Sequence, residues 1–115
     1  MTTSDEQRQI LTVFRNRLRP DNVEQYRVTS ARMDALARSM PGFVDAKTFT
    51  ADDGERVTIV TFADAESQRA WREHPEHREA QRAGVEEFYS EYSIQVAAVA
   101  YRHDFAHRPS TASDD

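Results

Sequence analysis

The chain predicts a single α+β domain in which a four-stranded antiparallel sheet carries its helices on one face. Three observations carry that expectation. Four stretches are rich in β-branched and aromatic residues, a long helix-period stripe separates the first from the second, and a tryptophan-bearing helical region separates the third from the fourth. At 115 residues there is material for one core but not two.

Ile10 to Leu18 reads as the first strand, β-branched and aromatic early and alternating later, and Arg19-Pro20-Asp21 stops it. Asp21 with Glu24 fits a capping box that opens a helix. Tyr26, Thr29 or Ser30, Met33, Leu36, Ala37 and Met40 then recur at helical spacing through Ser39, and Pro41-Gly42 ends the helix. Phe43 to Thr50 and Arg56 to Phe62 are two strands joined by Ala51-Asp52-Asp53-Gly54-Glu55, where Asp-Gly is a hairpin signal because glycine accepts positive φ. Asp64 is a candidate N-cap for a helix from Ala65 to Glu73. Pro75 breaks it, and a further helix is expected from about Glu76 to Ala83, with Gly84 near its end. Tyr92 to Tyr101 is the fourth strand. The domain is thus expected over residues 8–105, between a flexible N-terminus (1–7) and a disordered polar tail (106–115).

This β-α-β-β-α-β order is the split βαβ, or ferredoxin-like, arrangement. It leaves one sheet face without helices, yet the third and fourth strands are apolar on both faces: Val57 and Ile59 against Val60 and Phe62, Ile94 and Val96 against Ala97 and Val99. A sheet facing water should alternate apolar and polar, so a second copy packed on the open face is the expected solution, a homodimer.

Composition excludes several functions. Fifteen basic against 20 acidic residues give a net charge of −5, which disfavours nucleic acid and anionic membranes as partners. No apolar run is long enough to span a bilayer, and Met1-Thr2-Thr3-Ser4-Asp5-Glu6 is polar where a signal peptide would be basic and then apolar, so a cytoplasmic location is expected. With no cysteine there is no thiolate nucleophile, disulfide, iron–sulfur cluster or cysteine-ligated haem.

The run Trp71-Arg72-Glu73-His74-Pro75-Glu76-His77 concentrates the only tryptophan, two of four histidines and a proline. Trp71 is either a core aromatic or a flat wall for a planar ligand. His74 and His77 are too few for a metal site, so no metal is expected; one of them facing a cavity would serve as a base, a hydrogen-bond donor or a haem ligand. His77 is favoured, because His74 sits at the break in a cap-like position. Asn16 interrupts an apolar register on the first strand and needs a hydrogen-bond partner or a ligand if buried. Tyr89 and Tyr92, where helix hands over to strand, read as structural or as pocket-lining phenols.

These residues, with Arg78, Ala80-Gln81, Gly84 and Phe88, resemble the antibiotic biosynthesis monooxygenase family, whose members are small dimeric α/β-barrel proteins. The resemblance implies a pocket between sheet and helices, and a cofactor-independent oxygenase acting with dioxygen on a small anthrone- or quinol-like aromatic. Catalytic roles then fall to His77 as base, Asn16 as hydrogen-bond donor and Trp71 as ring support. Substrate contacts fall to Trp71, Phe14, His74, Tyr89 and Tyr92. Asn16 with Trp71 also resembles the haem-degrading branch, in which haem would be the cofactor. There the ligating histidine lies further on, where this chain has Ala80 and Gln81, so His77 or His74 would have to replace it. A dimeric small-molecule-binding module without catalysis is the third reading.

Overall fold

Four strands and three helices follow one another as β1 (Ile10–Leu18), α1 (Val23–Ser39), β2 (Phe43–Thr50), β3 (Arg56–Phe62), α2 (Ala65–Arg72), α3 (Pro75–Ala83) and β4 (Tyr89–Ala98), with a π-helical turn, Gly84–Phe88, between α3 and β4. This computed structural model describes residues 7–109; residues 1–6 of the expected flexible N-terminus and 110–115 of the expected tail lie outside the described residues. Residues 99–109 run without regular structure. The sheet order is β2-β3-β1-β4, antiparallel throughout, as a ferredoxin-like fold requires.

Register assigns the two faces. Thr12 stands opposite Val60 and Val96, Phe14 opposite Thr58 and Ile94, and these residues meet the helices. The alternate set, Leu11 and Val13 with Ile59, Val57 and Phe49, forms the face that no helix covers. Phe49 remains about half exposed there. Arg15 holds Glu55 through two hydrogen bonds, and Arg17 holds Asp53 and Glu91, so ion pairs rim one end of this apolar stripe.

The core is small and sits at one end. Phe62, fully buried, packs with Val60, Ala37 and Trp71, and Leu36, Met40, Phe43 and Ala46 close around them. Phe62 meets Trp71 at 5.3 Å between ring centroids and Phe43 edge-on at 5.9 Å.

Three local expectations need correction. The capping box at Asp21 does not form. Asn22 takes the N-cap position in the left-handed region (φ 60°), a conformation asparagine tolerates, and its Nδ2 donates to the Glu87 carbonyl (3.4 Å) instead of closing the helix. Helix α3 begins at Pro75, one residue early, because proline lacks only an N–H that the first helical turn leaves unused. Strand β4 begins at Tyr89 and ends at Ala98, three residues before the expected span at each end. Elsewhere the expected caps hold: Asp64 Oδ1 accepts from Ser67 N (2.8 Å) at the start of α2, and Gly54 takes φ 92° in the β2–β3 turn.

The early start of β4 follows from the π turn. A widened turn leaves carbonyls without helical partners, and Arg19 collects them. Its Nη2, Nη1 and Nε donate to the carbonyls of Val85 (2.9 Å), Glu86 (2.9 Å) and Tyr89 (3.0 Å), while Arg19 N donates to Phe88 O (2.8 Å). Gly84 at the head of this turn has an ordinary helical φ of −60°, so its requirement is steric: a Cβ there would stand 2.6 Å from the Tyr89 ring. Gly84→Ala is expected to destabilise the fold by about 1–3 kcal/mol, measured by chemical denaturation; an unchanged midpoint would show that Tyr89 moves aside freely.

Candidate functional site

Short side chains on the sheet leave a space under the helices. Thr12, Ala46, Thr48, Thr58 and Val60 form a low floor, with Thr48 and Thr58 sharing a hydrogen bond between their hydroxyls (2.8 Å). Ser30 and Met33 of α1, Trp71 of α2 and His77 and Ala80 of α3 roof it. The cavity is about 230 Å³. Its outer flank runs along β4, where Ile94 and Val96 are 42% and 46% exposed.

Trp71 is both core and wall. It is 7% exposed and packed on Phe62, and it also lines the cavity, where it lies 4.3 Å from the His77 ring, centroid to centroid. Its Nε1 is buried without a hydrogen-bond partner. The α2 helix that carries it is phased by the Asp64 cap, which puts Gln68 and Trp71, three residues apart, on the same inward face.

The two histidines separate in role. His74 is the N-cap of α3: its Nδ1 accepts from Glu76 N (3.1 Å), and it does not line the cavity. His77, one helical turn on, does line it. The Arg72 carbonyl lies 3.4 Å from His77 Nδ1 and can only accept, so the N–H sits on Nδ1 and Nε2 is left unprotonated. Burial pushes the His77 pKa below its ordinary value, the Arg72 hydrogen bond opposes this, and His74 adds a smaller downward push. At neutral pH His77 is an uncharged base beside an indole wall.

Asn16 is 2% exposed, with Oδ1 buried and unpartnered. It stands opposite Arg56 and Tyr92 in the register, one row beyond Phe14, and is not among the residues lining the cavity. Phe14, Tyr89 and Tyr92 do line it. Their rings meet edge-on, with centroids 5.2 Å apart for Phe14–Tyr89 and 5.6 Å for Phe14–Tyr92. Tyr89 and Tyr92 are three apart, which in a regular strand would send them to opposite faces. Leu18 pairs with Tyr89 and Arg17 with Glu91, so Ser90 is an extra residue, a β-bulge that returns both phenols to the cavity side.

Sequence reasoning missed Gln68. It is 4% exposed, lines the cavity, and its Nε2 donates to Thr12 Oγ1 (3.2 Å). On a short polar helix it reads as solvated; its spacing from Trp71 was the available signal.

The arrangement is a largely apolar, aromatic-walled chamber with one neutral base, two amides (Gln68 and Gln81) and the charged Asp34 and Arg72 in its lining. Among the described residues no cluster of three His, Asp or Glu side chains is placed to hold a metal ion, and no helix is long and apolar enough to cross a membrane. Solved structures of similar shape include Rv0793 from Mycobacterium tuberculosis (TM-score 0.72, 18% identity, 84% of this chain and 99% of that one). They also include SnoaB, a cofactor-independent oxygenase from Streptomyces nogalater (0.70, 17%, 86% and 97%), and a conserved protein from Methanosarcina mazei (0.70, 14%, 82% and 95%). At these identities the likeness is one of fold. No curated protein matches the chain. The family model for antibiotic biosynthesis monooxygenase matches residues 9–83, and the chain belongs to that family.

Proposed function

We propose that the protein is a cofactor-independent monooxygenase that oxidises a small quinol- or anthrone-like aromatic with dioxygen. The observation that carries this reading is the neutral, tautomer-fixed His77 beside Trp71 on the wall of an apolar cavity. His77 Nε2 takes a proton from a phenol or an activated ring carbon, and the resulting electron-rich anion reduces dioxygen. One oxygen atom ends on the ring carbon as a carbonyl, and the other leaves as water with two substrate hydrogens, both from the CH2 carbon of an anthrone or one from the ring C–H and one from the O–H of a quinol. Trp71 and Phe14 hold the ring plane. Asn16 lies one row outside the cavity, so the amide N–H of Gln68 that Thr12 leaves free is the better-placed donor to a developing oxyanion. A cavity of about 150 Å³ accepts benzene, so one of about 230 Å³ holds one or two fused rings, with any remainder emerging along β4.

Haem is the less favoured ligand. The cavity falls below the roughly 300–1,000 Å³ typical of drug-sized ligands, and His74 Nδ1 is engaged as a helix cap. A porphyrin does not fit these residues as they stand.

The open sheet face supports a homodimer. Leu11, Val13, Val57, Ile59 and Phe49 form an apolar centre with ion pairs at its rim, the anatomy of an interface between two copies.

Oxygen uptake on naphthoquinol and anthrone substrates tests the activity. Uptake above autoxidation is expected, falling by about 10²–10⁴-fold in His77→Ala and rising with pH through a pKa below 6.5. Binding without any acceleration would make the protein a ligand-binding module, and a saturable Soret shift on haemin titration would bring haem forward.

The same histidine sets an acid limit on stability. Its folded pKa is depressed, so the unfolded chain binds the proton more readily; the contribution is complete above about pH 6.5 and is lost as pH falls towards the folded value. His77→Gln is expected to flatten the decline of Tm in this window, and a decline identical to that of the native protein would assign it to other groups. Light scattering is expected to give twice the chain mass for the native protein and a folded monomer for Ile59→Glu; a native monomer would remove the dimer.

A further inference from the structure

The end of the cavity away from Gln68 is polar in a way the proposed reaction does not use. Tyr26 of α1 and Tyr89 of β4 both line it, with ring centroids 6.0 Å apart. Arg56, at the start of β3, donates from Nη2 to Tyr26 Oη (3.1 Å) and lies over the Tyr26 ring (5.4 Å from Cζ to centroid). The guanidinium therefore occupies a lone pair on Tyr26 and polarises that phenol as a donor. Burial, reinforced by Tyr26, holds the Tyr89 hydroxyl protonated well above its ordinary range.

Counting protons gives the consequence. Two phenols carry two O–H groups. A contact between them can use at most one, and Arg56 is itself a donor and accepts nothing. Among the described residues no other hydrogen bond accepts from either hydroxyl. Whichever way the Tyr26–Tyr89 contact runs, one O–H remains without a protein acceptor at a cavity wall.

We propose that Tyr26 and Tyr89, with Tyr26 tied to Arg56, form a donor end of the cavity that selects aromatic ligands carrying an acceptor oxygen on the ring edge remote from Gln68. This rests on the aromatic-ligand reading above and adds a specificity determinant to it. The two polar ends are separated along β1 by the rows from Thr12 to Asn16, about 13 Å at the usual strand rise. The preferred ligand is therefore a planar ring system oxygenated at both ends. Its outer oxygen is a carbonyl, ether or phenolate rather than a hydrocarbon substituent.

Calorimetric titration with 6-methoxy-2-naphthol and 6-ethyl-2-naphthol, matched in size, tests this. The native protein is expected to bind the methoxy compound up to about tenfold tighter, the range of one hydrogen bond to an otherwise unpaired buried donor. Tyr26→Phe or Tyr89→Phe alone leaves one free hydroxyl and keeps part of the preference; the double variant loses it. Equal affinity of the native protein for both compounds, or an undiminished preference in the folded double variant, would overturn the donor end while leaving the aromatic cavity standing. Binding of neither compound would overturn the cavity reading and this inference together. Should the double variant fail to fold, the comparison on the native protein decides alone.

Discussion

Arg19 donates to the carbonyls of Val85, Glu86 and Tyr89, and its backbone N–H meets Phe88, so one residue after β1 determines how α3 is handed to β4. A hydrogen bond from a charged donor is worth up to roughly 1.5–3 kcal/mol, and less for the exposed bonds to Val85 and Glu86, whose carbonyls water can also serve. Without this cation the carbonyls of the π turn would have to turn to water. The turn places Phe88 against Tyr26 (5.7 Å) and delivers Tyr89 to the cavity wall. Gly84 completes the arrangement from the other side by leaving room for the Tyr89 ring.

The division of the molecule into a packed end and a hollow end follows from side-chain size. Around Phe62 and Trp71 large rings fill the space between sheet and helices. On β1, β2 and β3 the floor drops to Thr12, Ala46, Thr48 and Thr58, which leaves a cavity of about 230 Å³ under the helices. Such a gap costs stability, since lining atoms forgo dispersion contacts. Among the described residues three buried polar atoms go unmet: Trp71 Nε1 at the cavity wall, and Asn16 Oδ1 and Arg56 Nε, which are paired in the register one row beyond it.

Much of the scaffold was legible from residue pattern. The first three period-2 strands, the α1 stripe ending at Met40, the Asp64 cap and the Asp53-Gly54 turn are local signals, and each formed where its chemistry indicated, whereas β4 formed three residues early. Trp71 and His77 stand out in the sequence as single residues, but the 4.3 Å approach of their rings depends on the break at Pro75 and could not be read from it. What stayed hidden depends on distant partners. The Arg19 clamp joins residues 66 to 70 positions apart. Gln68 is buried only because β1 offers Thr12 beneath it. Asn22 displaced the expected cap at Asp21 because its amide reaches the Glu87 carbonyl. In each case tertiary geometry outweighed a local propensity.

The extra residue at Ser90 gives the wall of this cavity a parity. In a regular strand the side on which a ring appears is decided by counting residues, so Tyr89 and Tyr92, three apart, share the cavity face only because the bulge absorbs Ser90; an unbulged pairing that kept Ser90 would turn Tyr89 to the opposite face. Whether the phenol at this end faces the cavity thus depends on a backbone irregularity and not on the identity of any side chain lining it. The aromatic wall at the β4 entrance is in this sense a property of strand pairing, open to change by a shift of register as directly as by substitution within the pocket.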